Sequence, residues 1–150
     1  MLGAVEMLRH GVTAVHDDAF HNPWPTRTAI DGVMSAYRDS GLRATVAINH
    51  QNRPELEKLP FLAELLPPDI RAEMEAIHIA PLDELTSLYH WFHKTWHDAA
   101  DGRLRIAVSN SAPQRVTEEY FSFLADFSRG HDLPFNIHML ETKTQRVLGI

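Results

Sequence analysis

The strongest constraint on the fold of this chain is a repeated alternation of short apolar segments with longer segments of helical periodicity. The apolar segments have the length and composition of buried strands, and they comprise residues 13–16, 43–48, 104–108 and the segment after Pro134. Strands that alternate with helices pair in parallel and are joined by right-handed crossovers. The chain is therefore predicted to be an α/β protein with a parallel sheet.

The helical spacing of apolar residues predicts what connects these strands. The predicted helices cover residues 2–9, 28–40, 83–98 and 117–130. Gly41 is a suitable stop for the second of these helices, and Thr117 is a suitable N-cap for the fourth. The segment 54–79, which Pro67 and Pro68 interrupt, is predicted to be an excursion with two short helices.

Polar side chains follow each predicted strand. They are His16 with Asp17, Asn49 with His50, Ser109 with Asn110, and His138 with Glu141. In α/β folds, functional sites are built at the carboxyl ends of parallel strands. A nucleotide-binding sheet needs a glycine-rich phosphate loop after a strand, and none of these strands is followed by one. The pattern instead favours part of an eight-stranded barrel.

The length of the chain limits how much of a barrel it can form. A complete (β/α)8 TIM-type barrel takes about 250 residues, whereas this chain has 150. We therefore expect residues 1–150 to form a single partial barrel, incomplete at both ends, with about one strand lacking before Met1 and three after Ile150. Such a piece exposes two unpaired sheet edges, so we expect it to be inactive by itself and prone to self-association.

Composition excludes several classes of function. With 44% hydrophobic and 23% charged residues, the chain is globular in character. A net charge of -6 without a cluster of Lys or Arg argues against nucleic-acid binding. No apolar run approaches the roughly 18–20 residues of a membrane span, so a soluble, cytoplasmic protein is expected. The chain has no cysteine and ten histidines, so a metal site must rest on His, Asp and Glu. Nothing in the sequence indicates an oligomeric state.

The pair formed by His138 and Glu141 is the strongest candidate site. A short apolar run leads to His138, and Glu141 follows three residues later. Each residue alone has an ordinary interpretation: His138 as a hydrogen-bonded histidine at the barrel mouth, and Glu141 as an acid in the first turn of a helix. Together they match a metal ligand and a proton-transfer group, because a divalent metal lowers the pKa of bound water and a nearby carboxylate can accept its proton.

Two other histidine groups are weaker candidates. His93 and His97 stand four residues apart on a predicted helix, but the zinc-protease pattern needs Glu directly after the first histidine, and Lys94 is there instead. An amphipathic outer helix explains this spacing as well. Asp17 and Asp18 resemble a metal cluster with their histidine neighbour, but two adjacent carboxylates at a strand end usually cap a turn.

Four segments of the chain resemble a known family. They are residues 6–17 (EMLRHGVTAVHD), 40–44 (SGLRA), 109–120 (SNSAPQRVTEEY) and 138–142 (HMLET). The first is similar to the pattern E-x-L-x-x-G-x-T-x-x-x-D, and the four segments follow one another in the order of that family. The chain thus resembles the middle of an amidohydrolase-superfamily enzyme, in the branch of the cytosine, guanine and adenosine-type deaminases and the triazine hydrolases, covering about strands 2 to 5 of the barrel.

The resemblance implies a barrel with a single divalent ion, zinc or iron. In this family a His-x-His pair after the first strand, a His after the fifth and an Asp after the eighth hold the ion. His138 matches the fifth-strand ligand, and Glu141 matches the acid/base residue. The chain contains no His-x-His, so the other ligands are missing from it. The residues that bind the substrate are unknown at this stage.

The leading hypothesis is therefore a piece of a metal-dependent hydrolase of the deaminase or chlorohydrolase type. The resemblance implies that metal-activated water attacks a small heterocyclic substrate at a carbon–nitrogen bond other than a peptide bond. The alternative is a truncated, catalytically inactive α/β module that has a binding role only. The substrate and the identity of the metal remain open, because His and carboxylate ligands suit several divalent ions.

Overall fold

The computed structural model describes residues 1–21, 25–58, 61–77 and 79–148. Its described part contains four strands: β1 (Ala14–Phe20), β2 (Arg43–Asn49), β3 (Leu104–Asn110) and β4 (Phe135–Ile137). They form one parallel sheet in the order β1-β2-β3-β4. The predicted parallel α/β architecture is confirmed.

Helices precede or connect the strands along the described chain. They are α1 (Leu2–Arg9), α2 (Arg27–Ser40), α3 (Glu55–Lys58), α4 (Leu62–Leu65), α5 (Pro68–Glu75), α6 (Leu82–Trp96), α7 (Ala99–Gly102), a 3-10 turn (Pro113–Arg115), α8 (Glu118–Gly130) and α9 (Lys143–Leu148). Gly41 ends α2 with a φ of 82°, a left-handed conformation that favours glycine. Thr117 caps α8 by accepting a hydrogen bond from the backbone N–H of Tyr120. The excursion after β2 holds three short helices among its described residues, not the two predicted.

The strands are longer than the sequence predicted. β1 continues past His16 to Phe20, pairing with β2 as far as Asn49. The interpretation of Asp17 and Asp18 as a turn cap is therefore wrong. Both carboxylates are accommodated in the strand because each finds a partner on its own face of the sheet: Asp17 accepts a 2.7 Å hydrogen bond from the Tyr37 hydroxyl, and Asp18 is described with the site below.

The hydrophobic core lies between the sheet and the helices α2, α6 and α8. Alternate residues of β2 and β3 contribute to it, namely Ala44, Val46, Ile48, Leu104, Ile106 and Val108. Phe92 of α6 and Tyr120 of α8 are completely buried against them. The buried Tyr89 hydroxyl donates a 2.7 Å hydrogen bond to the carbonyl of Ile48, which joins α6 to the sheet. The intervening residues of the same strands, most of them polar, lie on the opposite face of the sheet.

The sheet is strongly curved. Strands in a sheet lie about 4.8 Å apart, so β1 and β4 would stand about 14 Å from each other in a flat sheet. Their side chains nevertheless meet: Asn136 of β4 donates a hydrogen bond to His16 of β1, and His138 contacts Asp18. The polar face is thus concave, as on the inside of a barrel wall. No helix in the described part of the chain is both long and apolar enough to cross a membrane.

Candidate active site

The concave face carries a group of polar side chains near the carboxyl ends of the strands. Strand periodicity places His16 and Asp18 of β1 on this face, opposite in direction to Asp17, which points to the helix layer. Asn49 lies at the end of β2, and His138 directly follows β4. The curvature of the sheet brings these residues from both of its edges to one place.

His138 lies between two carboxylates. Its Nε2 is 3.1 Å from Asp18 Oδ2, and its Nδ1 is 3.7 Å from Glu141 Oε1. The side chain of His138 is 48% exposed, so the ring is open to solvent as well as to its neighbours. The structure thus brings together the two residues that the sequence singled out, His138 and Glu141, and adds Asp18 to them.

Asp18, a weaker candidate in the sequence, lies in the site beside His138. Asn49 Nδ2 donates a 2.9 Å hydrogen bond to Asp18 Oδ2, the oxygen that also faces His138. The second oxygen, Oδ1, is buried and has no hydrogen-bond partner among the described residues. The sequence does carry one indication of this position. His16 and Asp18 are two residues apart, so both lie on the same face of the sheet when β1 extends to Phe20.

A hydrogen-bonded turn positions Glu141 beside His138. Gln145 connects to both ends of this turn: its side-chain oxygen accepts from the Glu141 backbone N–H, and its Nε2 donates to the His138 carbonyl at 3.4 Å. Thr142 accepts from the Gln145 backbone N–H at 3.0 Å and so caps α9. Glu141 therefore precedes the helix, and its interpretation as a first-turn acid is wrong. Its carboxylate is half exposed and lies beside the His138 ring.

Two cavities lie at this end of the sheet. The larger, about 290 Å³, has a mixed lining of apolar and charged side chains with two histidines, including Phe20, His21, His50, Arg53 and Ile77. The smaller, about 110 Å³, is lined by Glu141, Arg115 and Gln145 among others. Lys58 lines both cavities.

Burial lowers the pKa of two basic residues that line the larger cavity. Burial lowers the pKa of Lys58, an effect that the adjacent Glu55 carboxylate, 2.7 Å away, opposes. Burial also lowers the pKa of His50 to about 4, and the charge of Lys58 adds to this effect. His50 is therefore a neutral imidazole near pH 7, able to hydrogen-bond without carrying charge.

Two histidines at the end of α6 stack on each other. The rings of His93 and His97 are parallel, with centroids 4.9 Å apart, and His131 from the end of α8 lies 4.2 Å from His93. In the parts of the chain that the structure describes, no group of three or more His, Asp or Glu side chains is placed to hold a metal ion. Neither the stacked histidines His93, His97 and His131 nor the residues of the concave face form such a group.

The residues of the concave face fit one ligand position of a metal site. Metal-binding histidines typically contact a carboxylate through the ring nitrogen that does not bind the metal. His138 has this arrangement, with Asp18 at Nε2 and a half-exposed ring. Asp18 Oδ1 is a buried carboxylate oxygen without a hydrogen-bond partner among the described residues, and it adds negative charge beside His138. The described residues alone do not complete a site.

Comparisons with known proteins agree on one superfamily. No protein-family model matches the chain. The chain is 25% identical over 145 residues to 5'-deoxyadenosine deaminase of Methanothermobacter thermautotrophicus. The aligned region covers 97% of the chain and 27% of that enzyme. It is 26% identical over 142 residues to 5-methylthioadenosine/S-adenosylhomocysteine deaminase 2 of Archaeoglobus fulgidus, covering 95% of the chain and 27% of the relative. The chain is homologous to enzymes of the amidohydrolase superfamily.

Solved amidohydrolase structures share the fold. Atrazine chlorohydrolase from Arthrobacter aurescens, crystallised with zinc, superimposes with a TM-score of 0.71 at 22% identity over 91% of this chain and 28% of that one. A mutant of the same enzyme, crystallised with zinc and atraton, gives a TM-score of 0.74 at 20% identity over 97% of this chain and 31% of that one. These neighbours are TIM barrels. The expected match to part of such a barrel is confirmed, and the chain spans about a quarter to a third of the length of these amidohydrolases.

Proposed function

We propose that this chain is part of a metal-dependent amidohydrolase that removes an amino group from a small heterocyclic substrate. The observation that carries the proposal is the placement of His138 and Glu141, side by side at the carboxyl end of a curved parallel sheet. The homology to deaminases of adenosine derivatives over 95–97% of the chain supports deamination over dechlorination. Substrates of that kind are small, and they require no nucleic-acid or membrane surface.

His138 is proposed to be one ligand of the metal ion. Its position after β4 is where the resemblance places a ligand, and zinc is present in the crystallised triazine enzymes that share the fold. The other ligands would come from residues outside the concave-face group. When bound, a divalent ion supplies a water molecule with a pKa lowered towards neutrality.

Glu141 is proposed to transfer the proton. Its carboxylate accepts a proton from the attacking water and donates it to the nitrogen of the leaving amino group. The new carbon–oxygen bond replaces the carbon–nitrogen bond, and ammonia leaves. The hydrogen bonds of Gln145 to the backbone on both sides of the turn stabilise the turn that carries Glu141 and His138.

The test is ammonia release from 5'-deoxyadenosine and 5'-methylthioadenosine by the zinc-supplemented protein of which this chain is proposed to be a part. Replacing Glu141 by Gln should lower the rate by about 10²–10⁴-fold, because the side chain keeps its shape but cannot accept the proton. Glu73→Gln is the matched control, since Glu73 is an exposed carboxylate on α5, and it should leave the rate unchanged. Equal activity of the wild type and Glu141→Gln would contradict the role of Glu141. A protein without activity and without metal affinity would favour the binding-only module.

A further inference from the structure

A cavity of about 300 Å³ lies at the amino ends of the strands, at the opposite end of the sheet from the candidate active site. Ala14 begins β1 and Arg43 begins β2, and both residues line this cavity. Arg103, directly before β3, and Arg105, within β3, also line it. We propose that these three arginines bind a phosphate group, either as inorganic phosphate or as part of a small phosphorylated molecule. The site is separate from the proposed function and requires neither a metal ion nor Glu141.

The register of the strands brings the three arginines together. Ala44 and Leu104 belong to the hydrophobic core, and side chains alternate between the two faces of a strand. Their neighbours Arg43 and Arg105 therefore lie on the concave face. The backbone N–H of Ala44 also donates a 3.0 Å hydrogen bond to the carbonyl of Arg103, which places this third arginine beside β2. Three positive charges thus surround one cavity.

The charges of these arginines are only partly compensated. Arg105 lies 3.2 Å from Asp98, and its side chain is 64% exposed. In the described part of the chain, no ion pair joins Arg43 or Arg103 to a carboxylate. The Nη1 of Arg103 is buried and has no hydrogen-bond partner among the described residues. A buried cationic donor without a partner is unfavourable, so an anion that accepts a hydrogen bond from it would stabilise this arrangement.

The backbone before Arg103 is strained. Ala100 and Asp101 have φ values of 53° and 58°, and Gly102, which lines the cavity, has a φ of 73°. Left-handed conformations cost free energy for residues other than glycine. Strained backbone of this kind is concentrated at binding and active sites. A binding role for Arg103 gives this strained turn a function.

A phosphate group fits three arginines better than a carboxylate does. A carboxylate has two oxygens, which a single guanidinium can bind in a bidentate manner. A phosphate ester carries about 1.5 to 2 negative charges near pH 7 and offers three acceptor oxygens. Arginine is also well suited to phosphate because its planar guanidinium presents several donors in a fixed geometry. The volume of the cavity is at the lower end of the range of about 300–1,000 Å³ for small-molecule sites, which favours a small ligand.

The experiment is a calorimetric titration of the chain with inorganic phosphate at constant ionic strength, repeated with glucose 6-phosphate. Both probes should bind to the wild type, and the tighter of the two shows whether the site prefers free phosphate or an ester. Arg103→Gln should weaken the binding at least about 10-fold, because a charge-assisted hydrogen bond is lost. Arg129→Gln is the matched control. It removes the same charge from an exposed position on α8, where Arg129 pairs with Asp126, and it should bind both probes like the wild type.

Three results would overturn the inference. The first is a wild type that binds neither probe at millimolar concentrations, which can be read even if Arg103→Gln fails to fold. The second is an equal loss of binding in Arg103→Gln and Arg129→Gln, which would indicate general charge attraction without a site. The third is binding by the chain but not by the longer protein of which it is proposed to be a part, because carboxylates of the remaining barrel would then occupy the arginines. Ammonia release and zinc binding are measured separately, so failure of the phosphate site and failure of the proposed function are distinguishable.

Discussion

Asn136 of β4 donates a hydrogen bond to His16 of β1, although β2 and β3 lie between those strands in the sheet. Together with the contact between Asp18 and His138, this bond connects the two edges of the sheet across its concave face. The curvature that a barrel needs is therefore present within residues 14–138, and it is stabilised by polar contacts that also form the candidate site.

The first prediction concerns this connection. His16→Ala removes the acceptor for Asn136 and should lower the free energy of unfolding by about 1 kcal/mol, the usual net contribution of one hydrogen bond. Urea denaturation followed by circular dichroism measures it. His10→Ala, at an exposed position after α1, should change the free energy of unfolding by less than about 0.5 kcal/mol. Equal effects of the two substitutions would contradict the structural role of His16.

The second prediction concerns the Tyr89 hydroxyl. Tyr89→Phe removes a buried donor to the Ile48 carbonyl and should cost about 1–2 kcal/mol of unfolding free energy. Tyr37→Phe removes a hydrogen bond of the same length to Asp17, but in a partly buried place where water can replace the lost partner, so the cost should be smaller. Thermal unfolding of both variants shows which substitution costs more stability. A larger loss for Tyr37→Phe than for Tyr89→Phe would contradict the prediction.

The third prediction concerns the dependence of stability on pH. Burial lowers the pKa of His50 from 6.5 to about 4, so the unfolded chain binds a proton at this residue more readily than the folded chain. The contribution of His50 to stability is thus complete above pH 6.5 and is lost as the pH falls towards 4. At most about 3 kcal/mol is at stake.

Unfolding experiments between those pH values measure this loss. His50→Gln should flatten the curve of unfolding free energy against pH, because the variant has no ring to protonate. His10→Gln, a change at an exposed histidine, should leave the curve as it is in the wild type. A His50→Gln chain with the full wild-type slope would show that other groups govern the acid sensitivity.

The fourth prediction concerns the stacked histidines. Burial lowers the pKa of His93, and the neighbouring rings of His131 and His97 lower it further, while Asp98 acts in the opposite direction. Replacing His131 by Asn should therefore raise the pKa of His93. An NMR titration of the ring protons measures this change, and a lower or unaltered pKa would contradict the account.

The elements with local signals were predictable from the sequence. Thr117 and Gly41 mark helix ends through their own backbone chemistry, and the structure has helix ends at both. The extension of β1 was not predictable in this way. Asp17 and Asp18 are tolerated in a strand because Tyr37 and Asn49, which are 20 and 31 residues distant in sequence, supply their partners. Long-range contacts of this kind leave no local pattern.

The same distinction applies to the site. The spacing of three between His138 and Glu141 was visible in the sequence, and the turn that Gln145 stabilises brings them together. Asp18 comes from the other edge of the sheet, 120 residues earlier. Only the curvature of the sheet makes it a neighbour of His138, so the sequence indicates no contact between the two residues.

The most direct test of the central claim is a zinc titration of the protein that contains this chain, followed by calorimetry. The account predicts that the wild type binds a single zinc ion and that His138→Ala weakens this binding at least about 10-fold, because a ligand is lost. His131→Ala, a change at the exposed edge of the histidine stack, should bind zinc like the wild type. A His138→Ala protein that binds zinc as tightly as the wild type would contradict the claim that this site is a metal-dependent hydrolase centre.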